Sequence, residues 1–441
     1  MKNKILRLLA ASAAVILLLA SCDKYLDQYP HNGVSSDNLT DEDAEMLMIG
    51  VYNIAQYKPT FNGWAMFDII GGDIIRPGAT STNTPALVIQ GAIYPDGSMV
   101  SGPWNGYYAG LYQINYFIQA VEGLPASAKK NEMLGTGHFF RGLYYYNLVT
   151  RWRSVPIVTG PITDDVPQDS EEDCWDFVEN EFKLAVAMAP DFTTKNYVSK
   201  DAAKALLART YLARGKKAEA AALAEDLITC GRFALADFTD IFRGVANKEE
   251  IFTFANLLEE GSYNIGSYYY TKESPVGGSY TFCPTQEAMD MFEYIDKRRT
   301  VSVDIQGSNN VVNKYCQGDA GHDPIYITRL AEMYLISAEA QGLALGIDRL
   351  NELRRFRGLP DVAPANEAAF LDAVLNERRL EFFGEGFRWF DLVRTGKYET
   401  MVGVDTKFTV FPIPSRELTL NKKLTQNPLW VAADEENDTE E

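Results

Sequence analysis

Residues 200–230 read KDAAKALLARTYLARGKKAEAAALAEDLITC, and the architecture follows from this stretch. It divides into two amphipathic runs, 200–214 and 216–230, each long enough for three to four helical turns. Small residues recur along both, so that two antiparallel helices can approach closely.

The spacing resembles the 34-residue tetratricopeptide pattern. With Tyr211 at the template tyrosine, Leu207 and Ala208 fall four and three residues before it and Ala220 nine after it. Further helical periodicity covers 104–122, 131–152, 171–189, 325–345, 347–357, 367–383 and 386–398. Asn38-Leu39-Thr40-Asp41-Glu42 reads as a helix start. In 325–345 the apolar series Ile327, Leu330, Ala331, Tyr334, Leu335, Ala338, Gly342 and Leu345 forms one stripe. Two stretches break the pattern, 58–102 and 231–324, both rich in Gly, Pro, Asn, Ser and Tyr. Long irregular insertions in a compact domain carry function. The expected fold is mainly α, a tetratricopeptide-like helical-pair scaffold with long irregular loops and minor β-hairpins.

The chain has 441 residues, with 60 Asp and Glu against 41 Lys and Arg, a net charge of −19. Such a surface repels phosphate backbones, so no nucleic-acid partner is expected. Three histidines (His31, His138, His322) and cysteines without CxxC spacing (Cys174, Cys230, Cys283, Cys316) give no basis for a metal centre. No nucleophile elbow, HExxH or P-loop occurs, and Asp164-Asp165 lacks the ligand alternation of an EF-hand. The expectation is therefore no catalytic residue, no metal and no cofactor.

The N-terminus carries an address. Lys2, Lys4 and Arg7 precede an apolar run from Leu8 to Ala20, followed by Ser21-Cys22. A charged start, a short apolar region and small residues before the cut define a secretion signal. Leu19-Ala20-Ser21-Cys22 resembles a bacterial lipoprotein signal, with Cys22 lipidated. The expected organisation is a signal peptide at 1–21, a lipid-anchored tether at 22–37, one domain at 38–433 and an acidic tail at 434–441. Loss of three cations with the signal takes the net charge from −19 to −22.

Motifs in order along the chain resemble the SusD/RagB family of nutrient-binding lipoproteins. They are Cys22-Asp23-Lys24-Tyr25-Leu26-Asp27 with Pro30; Phe140-Arg141-Gly142-Leu143-Tyr144-Tyr145-Tyr146-Asn147-Leu148 before Val155-Pro156; Arg329-Leu330-Ala331-Glu332 with Ala338-Glu339-Ala340; and Asn351 to Pro360. Asn376-Glu377-Arg378-Arg379-Leu380-Glu381-Phe382, Gly386 to Arg394, and Pro412-Ile413-Pro414 to Trp430 complete the series. The resemblance implies an outer-membrane, cell-surface lipoprotein partnered with a SusC-like TonB-dependent transporter. It would capture oligosaccharides and hand them on without cutting them. The alternatives are a peptide-binding member of the same family and a surface glycoside hydrolase.

Sugar rings present C–H faces to a flat π surface, and their hydroxyls need polar side chains beside it. Loop 58–102 offers Trp64, Phe67, Asp68, Asp73, Arg76, Asn83 and Tyr94. Loop 256–282 offers Asn256, Tyr263, Asn264, Tyr268, Tyr269, Tyr270 and Tyr280. Asp73 and Arg76, after a Gly-Gly turn, read as the polar partners, with Trp64, Tyr94, Tyr263, Tyr268, Tyr269, Tyr270 and Tyr280 as ligand aromatics. Trp104, Tyr107, Tyr108, Trp389 and Trp430 read as core. Arg141, Glu377, Arg378, Glu381, Arg388 and Asp391 read as structural ion pairs, because a charge on an apolar helix stripe must be paired.

Overall fold

The computed structural model describes residues 39–59, 63, 66–78, 84–257 and 264–431. The first half contains α1 (Asp41–Tyr57), α2 (Met66–Ile70), β1 (Ile74–Ile75), α3 (Pro85–Ala92), α4 (Ser98–Glu122), α5 (Ala128–Trp152), α6 (Glu171–Met188), α7 (Lys200–Ala213) and α8 (Lys217–Thr229). The second half opens with α9 (Phe238–Phe242), β2 (Glu250–Phe254), β3 (Cys283–Pro284), α10 (Gln286–Asp290), α11 (Arg299–Ser302), β4 (Val303–Gln306), β5 (Asn309–Val312) and β6 (Ile325–Arg329). It closes with α12 (Leu330–Phe356), α13 (Glu367–Glu381), α14 (Arg388–Arg394), α15 (Tyr398–Val402) and α16 (Ser415–Leu420). The fold is mainly helical.

Helix starts follow from short polar side chains. Thr40 accepts from the Asp43 N–H at 3.2 Å while the Asp43 carboxylate accepts from the Thr40 N–H at 3.0 Å, a reciprocal cap. Ser127 caps α5, Ser170 caps α6 and Ser199 caps α7, each contributing about 1 kcal/mol. Helix α5 thus begins at 128, one turn before the periodic stretch 131–152.

Successive helices pack side by side: α4 on α5, α5 on α6, α6 on α7, α7 on α8, α8 on α12, and α12 on α13. Ala208 in α7 and Ala220 and Ala224 in α8 are fully buried, as the spacing of 200–230 requires. Gly135 admits the α6 terminus so closely that a Cβ there would stand 2.2 Å from the Ala189 nitrogen. The long loops are held by short antiparallel ladders: β1 with β3, β2 with β6, and the hairpin β4–β5.

The stripe at 325–345 resolves differently from a single helix. Residues 325–329 form β6, buried along its whole length against β2. Ile325, Tyr326, Ile327 and Thr328 are β-formers, and a fully buried strand loses its alternation, so the helical period there is coincidental. The helix then breaks at Gly342 (φ 70°, ψ −176°), and 330–341 and 343–356 fold back as a pair. The Tyr334 hydroxyl donates to Glu352 at 3.1 Å, and the Glu367 carboxylate caps the Leu343 N–H at 3.1 Å. The expected break between 345 and 347 therefore lies at Gly342, whose left-handed backbone reverses the chain. Stretch 386–398 is likewise shorter, α14 giving way at Gly396 before α15. A Cβ on Gly346 would stand 2.0 Å from the Ala338 carbonyl oxygen. Gly346→Ala is thus expected to pry the pair apart and lower stability by roughly 2–3 kcal/mol, read as the urea midpoint.

A second device ties the loops to the helices. Arg298, Lys314, Arg329, Arg354 and Arg357 interlock with Glu249, Asp296, Glu377, Glu381 and Glu385, five charges of each sign. All but Arg354 are essentially sealed from solvent. Glu381 lies at the centre, receiving Arg298, Arg329 and Arg357. Cys174, Cys230, Cys283 and Cys316 are all free thiols.

Candidate functional site

The described parts of both irregular stretches fold into defined structure, and β1–β3 joins them. Ile75 pairs with Cys283, and continuing that register sets Arg76 opposite Phe282. The segment 279–282 then runs back along a 3-10 turn at Gly266–Tyr268: Ser279 N–H donates to the Ser267 carbonyl at 2.7 Å, Tyr280 N–H to Tyr270 at 3.0 Å and Phe282 N–H to Tyr268 at 3.0 Å. Tyr268, half-buried, stacks on Phe282 with centroids 6.5 Å apart and planes at 26°. Tyr280, also half-buried, takes a left-handed backbone (φ 47°), and its hydroxyl donates to the Asn310 carbonyl of the β4–β5 hairpin at 3.1 Å. A non-glycine residue held at positive φ is characteristic of sites where geometry is imposed. Around these rings lie neutral hydrogen-bonding groups: the exposed hydroxyls of Ser279 and Thr281, 2.9 Å apart, and the amides of Gln286 and Asn310. Arg76, Tyr268 and Tyr280 thus belong to one loop cluster, a candidate platform of two half-buried rings with polar groups nearby.

Several expected site residues do not belong to it. Asp73 is buried and bound to two arginines: Arg379 Nε lies 3.0 Å from its Oδ1 and Arg388 Nε 3.2 Å from its Oδ2. Those guanidiniums come from α13 and α14 and need a buried carboxylate, so Asp73 is structural rather than a ligand partner. Tyr269 is 0% exposed, stacked on Tyr315 at 6.3 Å. Tyr270 is also buried, its hydroxyl donating to Asn313. Consecutive tyrosines on a tight turn cannot all face outward, and only Tyr268 does. Tyr94 is 46% exposed but sits on the turn before α4, where Pro95 meets Ser415. Asp68 is buried, accepting from the Gly386 N–H at 2.9 Å. Cys22, Trp64, Asn83 and Tyr263 lie outside the described residues.

Charged residues of the helices meet one another. Arg141 donates to Glu181 at 2.8 Å, Arg378 to Asp391 at 2.6 Å, and Arg388 joins Asp73, while Glu377 and Glu381 belong to the ten-charge set. Trp104, Tyr107 and Trp389 are buried, and Tyr108 and Trp430 are half-buried. Among the described residues no group of His, Cys, Asp and Glu side chains could hold a metal ion, and no helix is long and apolar enough to cross a membrane.

Asp323, which the sequence reading passed over, staples the platform from beneath. Its carboxylate accepts from the N–H groups of Cys316 at 2.9 Å and Gln317 at 3.2 Å, and its carbonyl accepts from Asn256 at 2.6 Å. Burial pushes its carboxyl up to about 6, against the pull of those N–H groups and Arg243. A carboxyl whose folded value is raised stabilises fully below its unfolded value, and that contribution disappears as pH rises through about 6. Between pH 4 and 7 it removes roughly 2 kcal/mol. Asp323→Asn is expected to flatten this pH dependence, checked by urea unfolding at pH 4.5 and 7. A second unforeseen residue, Tyr294, stands 91% exposed with the Arg299 guanidinium 5.9 Å from its ring.

A stack of helical pairs thus carries the loop cluster that holds Arg76, Tyr268 and Tyr280. A family model described as the SusD family matches residues 305–409, and another described as starch-binding associating with outer membrane matches residues 24–212. The SusD-like protein P38 of Formosa agariphila is 25% identical, over 93% of this chain and 96% of its own. A SusD superfamily protein from Bacteroides vulgatus superposes with a TM-score of 0.78 at 23% identity, covering 89% of this chain and 99% of its own. A laminarin-binding SusD-like protein superposes with a TM-score of 0.74 at 24% identity, covering 88% and 99%. The chain belongs to the SusD/RagB family.

Proposed function

We propose that this protein is a non-catalytic glycan receptor of the outer membrane, held by lipid on Cys22, that captures oligosaccharides and passes them to a SusC-like TonB-dependent transporter. The observation that carries the reading is the match of residues 24–212 to a family described as starch-binding associating with outer membrane. The platform supports it: Tyr268 and Tyr280 offer ring faces, Ser279, Thr281, Gln286 and Asn310 offer neutral hydrogen-bonding groups, and Arg76 adds a cation at the edge. A shallow surface of this kind binds with micromolar affinity, about −8 kcal/mol, which suits capture followed by release. Lipidation on one cysteine with more than one acyl chain gives stable anchoring without a membrane-spanning helix.

The test uses soluble protein starting after Cys22 and calorimetry against a panel of neutral glucans. Tyr268→Ala is expected to weaken binding tenfold or more, since one lost ring contact removes 1.4 kcal/mol or more. A panel without any binder, or a Tyr268→Ala variant that binds as the wild type does, rejects the reading.

A further inference from the structure

Away from the platform, a cleft of about 100 Å³ opens between α5, α7 and α14, roughly three waters' worth of liquid. Four arginines stand among its largely apolar lining: Arg151, Arg209, Arg378 and Arg394. Arg151 is held through Asn147 and the Gly63 carbonyl. Arg394 bonds Glu339 and Asp391. The other two are only partly committed. Arg378 is 4% exposed, and its Nε donates to Asp391, yet its buried Nη1 has no hydrogen-bond partner. Arg209 bonds Glu332 and the Ile327 carbonyl through Nε and Nη2 only. The Tyr146 hydroxyl also makes no hydrogen bond to the described residues.

All three residues line the same cleft. The Arg209 guanidinium carbon is 5.9 Å from the Tyr146 ring centroid and 4.9 Å from that of Phe387, and the Arg378 carbon is 5.7 Å from the same Phe387. Around them the Asp391 carboxylate is already bonded on both oxygens, by Arg378 and Arg394, and Glu385 is bonded by Arg329 and Lys314. The cleft therefore offers three uncommitted donors and acceptors that are already engaged. A water would satisfy two such donors but must donate its own two hydrogens. An oxyanion accepts from several donors at once and donates nothing.

We propose that this cleft is a binding site for a small oxyanion, a carboxylate or phosphate group seated on Arg378, Arg209 and Tyr146. The occupant bridges α5 and α7 of the scaffold to the α13–α14 corner, and so stabilises the folded chain by mass action. Because Asp391 and Glu332 already neutralise much of the local charge, the affinity is set by donors rather than by net charge and lies in the millimolar range.

The test is thermal unfolding of the soluble chain in sodium acetate or inorganic phosphate at constant ionic strength, with binding measured by calorimetry. The wild type is expected to show a saturable rise in Tm with at least one of the two anions, and which one responds distinguishes a carboxylate from a phosphate ligand. Tyr146→Phe, which leaves every ion pair in place, is expected to weaken the half-saturation point three- to tenfold. Arg378→Met is expected to abolish it, and Tyr146→Phe keeps the test decisive if that variant fails to fold. A shift with neither anion, or equal shifts in wild type and Tyr146→Phe, overturns the proposal, as does a crystal grown with phosphate that holds only water in the cleft. None of these outcomes depends on whether the platform binds a glycan.

Discussion

Glu381→Ala is expected to lower the unfolding free energy by roughly 3–5 kcal/mol, the range found when a buried ion pair loses one partner. The carboxylate is fully buried and receives three guanidiniums, from Arg298, Arg329 and Arg357. Each of these arginines keeps another acid: Asp296 and Glu377 for Arg298, Glu249 and Glu385 for Arg329, Glu249 for Arg357. The damage is therefore less a single orphaned arginine than a set that changes from five cations and five acids to five and four. An excess charge in a low-dielectric interior has no solvent to screen it. Adding Arg357→Met should restore the balance, and the pair of changes is expected to cost less than the sum of the two alone. Urea midpoints of the wild type, both single variants and the double variant measure this directly. Equal additive losses would show that the charges act independently.

The same set predicts how acid unfolds the protein. Burial alone would raise the Glu381 carboxyl, but Arg357, Arg329 and Arg298 together outweigh it and hold it well below the ordinary carboxylate value. Glu385 and Asp391 are lowered against burial in the same way. A carboxyl with a depressed folded value contributes stability above its unfolded value and loses it as pH falls through the folded value. These groups weaken the chain only below about pH 4.5. Asp323 acts in the opposite sense, weakening it as pH rises toward 7.

The helices were legible because burial writes a period into sequence. Ala208, Tyr211 and Ala220 satisfied a template whose spacing reflects the contact between two helices, and the structure buries all three. Arg378 on its apolar stripe signalled a partner, and Asp391 is that partner. Much of the separate ten-charge set was not legible. Arg298, Lys314, Arg329 and Glu249 come from four separate segments, and each looks like an ordinary surface charge until the chain closes on itself. Asp73 misled for the same reason: its arginines lie some 300 positions away, and nothing local distinguishes an acid facing solvent from one facing Arg379. The strand at 325–329 misled because burial on both faces erases the alternation by which strands are recognised.

Tyr269→Ala is expected to cost roughly 3–5 kcal/mol, as for other fully buried aromatic truncations, and to leave glycan affinity of the folded protein unchanged. The ring is 0% exposed and stacked on Tyr315, whose hydroxyl donates to the Gly384 carbonyl at 2.7 Å, so it roots the platform in the helical scaffold. Its own hydroxyl is buried without a hydrogen-bond partner. An unsatisfied buried hydroxyl destabilises, so Tyr269→Phe, which removes only that oxygen, is expected to stabilise by about 1 kcal/mol. The two variants therefore move stability in opposite directions. Tyr268→Ala, one residue earlier, should instead change affinity while leaving the urea midpoint nearly still, because its ring is half in solvent. Measuring midpoint and glucan affinity on all three variants separates the residue that supports the surface from the one that forms it. A Tyr269→Phe protein that binds as poorly as Tyr268→Ala would mean that the hydroxyl reaches ligand, and the inward placement of Tyr269 would have to be abandoned.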